Sequence, residues 1–456
     1  MQYLTIWDLV ITPIYLFVLV AIAKRHREKN YPVGHPLRKY YLSGLYAKFG
    51  GAIFIALVYQ YYYHGGDTYN YFQHARIINS ALGDSFNTWS GLIFHVSPDN
   101  NSRLYDFTSQ MEWYNDPSSY AVAVIAAILG LFSATSYIPI ALLFAYLSYT
   151  GIWAMYKTFV QMYPKLYKQL AIAFLFIPST IVWGSAIFKD TVCMFGLGWL
   201  SYTTFRIFVN RDFSFRNISM LVISFYLIAV IKLYILLAFL PALGLWLLMS
   251  YSKKIPSFEL RVLVNIAFIG IIVAGFLFFS QRFAKELNKY SLDKIAQTAE
   301  TTRQWIYYSS ELDQGSAYDL GDFDPSLTGM LSKFPQAVVV TLFRPFLWES
   351  RKVIVLLSAL EALIFLYFTL RVIIARKIGA LQSIGKDPNL MFFLIFSLIF
   401  AFAVGISSYN FGALSRYKIP CLPFYAALLL ILNYQPKRLS QQVIANTKVK
   451  SKVVQA

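Results

Sequence analysis

Acidic residues that could act as acid–base groups occur at two places in this sequence. Asp67 lies in the motif HGGDTYNY at residues 64–71, and Asp190 lies in a short polar turn beside Lys189. A carboxylate near the apolar wall of a helical bundle can serve as a general base, or it can stay ionised and bind a cation or a hydroxyl group. Two carboxylates that face one cavity suit acid–base or metal-assisted chemistry. A simpler alternative is that each aspartate caps the helix that follows it.

Two arginines near the ends of apolar runs could bind a phosphate group. Arg416 opens the motif RYKIPCLPF at residues 416–424, and Arg344 lies in LFRPFLWE at residues 342–349. An arginine can hold a phosphate through two parallel hydrogen bonds. The alternative is that both arginines are snorkelling anchors, with the neighbouring aromatic residues in the interfacial belt.

Tyrosines and histidines around these motifs suggest further contacts. Tyr71 and Tyr417 belong to the same two motifs and are candidate substrate-binding residues, since aromatic rings can stack on sugars. His64 and His74 flank Asp67 at spacings that match no recognised metal motif. No metal ligand is therefore assigned, and a divalent metal stays an alternative.

The elements that position these residues must lie in a membrane. Of 456 residues, 57% are hydrophobic and 14% are charged, whereas soluble domains carry about 25% charged residues. This composition excludes a soluble globular protein. Two cysteines are too few for a disulfide framework or a Cys-based zinc site. A net charge of +18 would suggest a nucleic-acid partner in a soluble protein. In a membrane protein, Lys and Arg collect in cytoplasmic loops, so no nucleic-acid partner is predicted.

Apolar runs long enough to cross the bilayer predict an all-α, polytopic bundle of about 11 transmembrane helices, with a range of 10–13, in a single domain over residues 1–456. The runs fall at 3–23, 48–64, 137–156, 168–187, 191–209, 217–232, 233–250, 259–279, 353–371, 390–408 and 417–433. A shorter run at 120–135 is interpreted as a juxtamembrane helix, because counting it as a span would put basic loops on both faces.

The basic connections then all face one side, which the positive-inside rule makes the cytoplasm. This orientation predicts an outside N-terminus and a basic cytoplasmic tail at 434–456, in a bacterial inner membrane. The outer face receives a first loop at 65–118, which holds the candidate catalytic motif, and a long loop with interfacial helices at 280–352. The alternative is that one weak span is misjudged and that this agreement is accidental.

Taken together, the motifs resemble those of the C-type membrane glycosyltransferases. The closest match is the motif at 416–424, which resembles the RY-x-x-P-x-x-PF opening of late spans in bacterial members. The resemblance implies transfer of a sugar from a polyprenyl-phosphate carrier to a glycan, lipid or protein acceptor on the outer face. Asp67 would activate the acceptor and Asp190 would be the second acidic residue. Arg416 would contact the donor phosphate, with Lys189 and Arg344 as further candidates.

The sequence departs from the better-known branches in two ways, and two other functions stay open. Asp67 is followed by Thr68 rather than a second acidic residue, and a span precedes the loop at 65–118. A polysaccharide polymerase or ligase would rely on arginines, while a transporter or flippase would use ionisable residues within spans. The mid-span candidates are Asp8, Lys232 and Glu361. No cofactor is required, since a lipid-linked donor needs no nucleotide-binding domain.

Overall fold

The computed structural model of the chain describes residues 3–99, 101–133, 136–252, 317–321 and 327–434, with a few positions between 257 and 270. Within these ranges the protein is helical and contains no β-strand, and an isolated antiparallel bridge joins Ala317 to Asn410. The expected all-α fold is therefore confirmed for the described part of the chain. The predicted basic tail at 434–456 lies outside the described residues except for Tyr434.

Eighteen α-helices occur in the described ranges. In chain order they are α1 Ile6–Asn30, α2 Arg38–Tyr61, α3 Asp67–Ser80, α4 Phe86–Ile93, α5 Ser102–Thr108, α6 Pro117–Gly130, α7 Tyr137–Met162, α8 Tyr167–Leu175, α9 Pro178–Trp183, α10 Lys189–Phe208, α11 Phe215–Ser252, α12 Leu327–Ser332, α13 Phe334–Phe343, α14 Val353–Arg376, α15 Ile378–Lys386, α16 Pro388–Ser408, α17 Phe411–Tyr417 and α18 Leu422–Asn433.

Six of the described helices are long and apolar enough to cross a membrane, namely α1, α2, α7, α11, α14 and α16. The pair α17 and α18, bent by 72°, would make a seventh span if it is counted as one. The helices therefore support a multi-pass membrane protein. The expected count of about 11 is not confirmed among the described residues.

The predicted and observed spans differ where a helix breaks inside an apolar run. The runs at 217–232 and 233–250 share α11, which is 38 residues long and has non-helical backbone angles at Lys232. The run at 168–187 is divided between α8 and α9, because Pro178 opens a new helix and disfavours helical geometry in the residue before it. The run at 259–279 falls largely outside the described residues.

The short run at 120–135 falls mostly in α6, which has 14 residues. At about 1.5 Å per residue, such a helix is roughly 21 Å long, short of the roughly 30 Å of hydrocarbon in a bilayer. Its length agrees with leaving this run out of the predicted spans. α6 packs against α3 and α7, beside the loop at 65–118.

Glycine allows α7 and α10 to pack with their backbones in contact. A Cβ at position 198 would lie 2.0 Å from the carbonyl oxygen of Gly151, and a Cβ at position 151 would lie 2.4 Å from that of Phe195. Small residues at such crossings are typical of helix pairs in membranes. This contact fixes α10, whose first turn holds Lys189 and Asp190.

Replacing Gly198 with Ala is expected to destabilise the protein by about 1–3 kcal/mol, because the added methyl group forces the two backbones apart. The matched control is Gly50→Ala in α2, where a Cβ would meet no atom within 4 Å. The control should be neutral or slightly stabilising, since Ala favours helix over Gly. Thermal unfolding in detergent measures both, and equal melting temperatures for the two variants would contradict the proposed contact.

Candidate functional site

Four charged side chains form a continuous series of ion pairs, here called the ion-pair chain: Asp67, Arg416, Asp190 and Lys232. Arg416 donates from Nη1 to Oδ2 of Asp67, and its Nε lies 2.5 Å from Oδ2 of Asp190. The Nζ atom of Lys232 lies 2.5 Å from the other oxygen of Asp190, Oδ1. The structure thus brings together Asp67, Asp190 and Arg416, which are far apart in sequence, and adds Lys232.

Asp67 is presented by a sharp turn before α3. Gly65 and Gly66 have φ values of 147° and 121°, which L side chains rarely adopt. A Cβ on Gly66 would also lie 2.8 Å from the ring of Tyr59. Asp67 is then the first residue of α3, and its Oδ1 accepts a hydrogen bond of 2.9 Å from the backbone N–H of Thr68. Its other oxygen, Oδ2, accepts from Arg416.

Asp190 lies in the first turn of α10, but its carboxylate does more than complement the helix terminus. Both of its oxygens accept hydrogen bonds from side-chain cations, Arg416 and Lys232. The residue that caps this helix is Phe188, which makes no side-chain capping bond. The alternative of a simple cap therefore does not describe the contacts of Asp190.

Arg416 is the central member of the ion-pair chain. It lies in α17, just before the bend of 72° that leads into α18. The ring of Phe188 packs against its guanidinium, with 4.1 Å from Cζ to the ring centroid. A planar guanidinium can stack on an aromatic ring while its edges bind carboxylates, which an ammonium group does less well.

In the sequence, Lys232 is a mid-span residue of the kind that a transporter would use. In the structure its backbone angles, φ −148° and ψ 74°, interrupt α11. Its ammonium group contacts Asp190 and lies 4.5 Å from the ring centroid of Tyr417. The feature that could have identified it is a single lysine in a long apolar run, because an ionisable residue within a span is normally paired. Sequence alone did not identify that partner.

Exposure differs strongly along the ion-pair chain. The side chain of Asp190 is fully buried, Lys232 is 8% exposed and Arg416 is 12% exposed, whereas Asp67 is 28% exposed. Two carboxylates and two cations give no net formal charge, which is a condition for burying such a group in a low-dielectric interior. Asp67 is therefore the member best placed to meet a substrate.

Lys189 does not join the ion-pair chain directly. Its Nζ lies 3.2 Å from Oδ2 of Asp116 and 2.6 Å from the hydroxyl of Ser118. Burial would raise the pKa of Asp116, but hydrogen bonds from Ser119 and Ser118 and the charge of Lys189 hold it at about 2. The pair Lys189–Asp116 ties the start of α10 to the start of α6.

Arg344 is held by a carboxylate of its own. Its Nε lies 3.1 and 3.0 Å from the two oxygens of Glu349, and its guanidinium packs against the ring of Phe411. Burial would raise the pKa of Glu349, but the hydrogen bond from Arg344 lowers it overall. The carbonyl oxygen of Arg344 lies 3.4 Å from Nζ of Lys418, two residues after Arg416. Arg344 is thus connected to the segment that holds Arg416 through its backbone carbonyl group rather than through its guanidinium.

The two candidate tyrosines form walls of the site. Tyr71 is buried and packs on Trp113, with ring centroids 5.0 Å apart. Tyr417 lies below the ammonium group of Lys232. In the described part of the chain, no group of three His, Cys, Asp or Glu is arranged to hold a metal ion.

Replacing Asp190 with Asn is expected to destabilise the protein by about 3–5 kcal/mol, because it leaves two buried cations with one carboxylate between them. The control is Glu28→Gln, the same carboxylate-to-amide change in an ion-paired residue whose side chain is 53% exposed. Exposed pairs contribute little, so the control should unfold like the wild type. Thermal unfolding in detergent distinguishes the two, and an Asp190→Asn variant as stable as the control would contradict the pairing.

No protein-family model, no curated protein and no solved structure matches this chain. The chemistry of the site is therefore assigned from its residues and their contacts.

Proposed function

We propose that this protein is a membrane glycosyltransferase that moves a sugar from a polyprenyl-phosphate carrier to an acceptor hydroxyl. The observation that carries the proposal is the partly exposed carboxylate of Asp67, held by Arg416 at the end of the otherwise buried ion-pair chain. A carboxylate that is held in place and still accessible suits a group that must meet an acceptor in one orientation.

In the proposed reaction, Asp67 accepts the proton of the acceptor hydroxyl as its oxygen attacks the anomeric carbon of the sugar. The bond from that carbon to the phosphate oxygen breaks, and the electron pair leaves with the polyprenyl phosphate. A new glycosidic bond forms, and the proton is later released to water. Asp190 stays buried throughout and orients Arg416, so its role is positioning rather than contact with substrate.

The departing phosphate requires cations nearby, because negative charge develops on it in the transition state. Arg416, Lys189 and Arg344 are the proposed sources. Lys189 and Arg344 keep 19% and 22% of their side chains exposed, and each is paired with one carboxylate. A phosphate that binds either cation therefore competes with Asp116 or Glu349.

Contacts of the mid-span residues give less support to a transporter. Asp8 accepts hydrogen bonds from the backbone of Thr5, 2.9 Å away, and of Ile138, 2.8 Å away. Lys232 forms a buried ion pair with Asp190. Both residues thus have partners that tie separate helices of the bundle together. A polymerase or ligase that relies on arginines would give Asp67 no required role. The transferase proposal requires Asp67, so this residue distinguishes the two functions.

Replacing Asp67 with Asn is expected to lower transfer by about 10²–10⁴-fold, the contribution of a general base. The assay follows transfer of labelled sugar from a polyprenyl-phosphate donor by the purified protein. The control is Asp106→Asn, an exposed aspartate in the first loop outside the ion-pair chain, which should keep wild-type activity. Transfer retained by Asp67→Asn, with an unchanged melting temperature, would remove the assigned role.

We also propose that the loop at 65–118 faces the outside of a bacterial inner membrane and that the connection between α10 and α11 faces the cytoplasm. The native cysteines, Cys193 and Cys421, are buried and give little background. An impermeant thiol reagent added to whole cells should label Ser109→Cys, and it should label Ser214→Cys only after lysis; both positions are exposed. The opposite pattern would reverse the orientation.

A further inference from the structure

An apolar groove separate from the ion-pair chain lies between α2, α8, α9, α14 and α18. Its volume is about 540 Å³, within the range of ligand pockets in proteins. The lining includes Ile55 from α2, Trp183 from α9 and Leu429 from α18, together with one carboxylate, that of Glu361 on α14. No role has yet been assigned to this groove.

The groove opens toward the region where lipid would surround the protein. Ile172, Leu357 and Ile364 line it and are 56%, 55% and 57% exposed. Leu357 and Ile364 belong to α14, one of the six helices long and apolar enough to cross a membrane. Exposed apolar side chains on such a helix face hydrocarbon in a bilayer. The occupant that can enter from this side is a lipid chain.

Glu361 determines what kind of lipid fits. Its side chain is 95% buried, since only 5% of it is exposed, and its Oε2 accepts a hydrogen bond of 2.9 Å from the backbone N–H of Ser179. The other oxygen, Oε1, is buried and has no hydrogen-bond partner among the described residues. Buried polar atoms are normally hydrogen-bonded, so an orphaned acceptor in a groove indicates a donor on the ligand.

The charge around Glu361 favours a neutral donor. Lys418 is completely buried and close enough to Glu361 to interact with it electrostatically. Because Lys418 is already a basic group beside Glu361, the interaction that Oε1 lacks is a hydrogen bond rather than a second cation. An ammonium head group would add an unbalanced charge to an apolar site, which is costly. A hydroxyl group donates a hydrogen bond without that cost.

We infer that this groove binds a neutral lipid alcohol, whose chain packs between α2, α9 and α14 and whose hydroxyl donates to Oε1 of Glu361. The inference rests on the groove and on Glu361, and it does not require the proposed transfer reaction. Binding and transfer can therefore fail separately. A protein that binds the alcohol but transfers no sugar would overturn the proposed function alone.

The test uses hexadecanol carrying a photoreactive diazirine in its chain, with the protein in phosphatidylcholine nanodiscs and labelled peptides mapped by mass spectrometry. Labelling should saturate at the groove. Unlabelled hexadecanol should compete about tenfold better than its methyl ether, which cannot donate a hydrogen bond to the orphaned acceptor. Equal competition by the two compounds, or labelling that does not saturate, would overturn the inference.

Three variants separate the contribution of the lipid chain from that of the head group. Glu361→Leu should keep the labelling and lose the preference for the alcohol over the ether. Leu357→Trp should block the mouth and reduce labelling, whereas Leu363→Trp, on the exposed side of the same helix and outside the lining, should label like the wild type. An unchanged preference in Glu361→Leu, or equal labelling of the two Trp variants, would also overturn the inference. Because Leu357 is exposed, its substitution tests the site even if Glu361→Leu does not fold.

Discussion

The fully buried carboxylate of Asp190 is the constraint on which the arrangement of this site depends. A charge in a low-dielectric interior is tolerated only when it is paired and hydrogen-bonded. Asp190 meets this requirement through two cations, one on each oxygen, which come from different elements: Lys232 from α11 and Arg416 from α17. Its own helix, α10, is fixed against α7 by glycine contacts. The carboxylate of Asp190 thus joins three helices that are distant in sequence, α10, α11 and α17.

The irregular backbone around Asp190 follows from the same requirement. α11 departs from helical geometry at Lys232, and the chain bends by 72° between α17 and α18 shortly after Arg416. Each irregularity lies at or beside a cation that must reach the same carboxylate. A buried ion pair adds little net stability over a well-packed apolar pair, because desolvation offsets most of the attraction. Net stability therefore does not explain the two interrupted helices. The structural effect of the ion-pair chain is to hold Asp67 in place.

The sequence indicated which charged residues come together better than it indicated the number of spans. Hydrophobic runs correctly indicated an all-α chain with several helices that could cross a membrane. Asp67, Asp190 and Arg416 could be named because each is a charged residue at the end of an apolar run on the predicted outer face. A run of apolar residues does not, however, show where a helix breaks, so the sequence predicts two spans where the structure has α11 and one span where Pro178 begins a new helix. The pairing of Lys232 with Asp190 could not be predicted, since it depends on how α10 and α11 pack. Arg344 and Glu349, five residues apart, form a local pair that no helical spacing rule singles out, because the helix ends before Arg344.

The groove lies close to the ion-pair chain, and two sets of side-chain contacts connect them. Trp183 lines the groove and packs on Phe188, with ring centroids 6.2 Å apart, and Phe188 also contacts the guanidinium of Arg416. Glu361 and Lys418 add a second connection, since Lys418 lies two residues after Arg416 and interacts with the carboxylate in the groove. A chain that filled the groove would therefore contact Trp183, whose neighbour Phe188 packs on the guanidinium of Arg416.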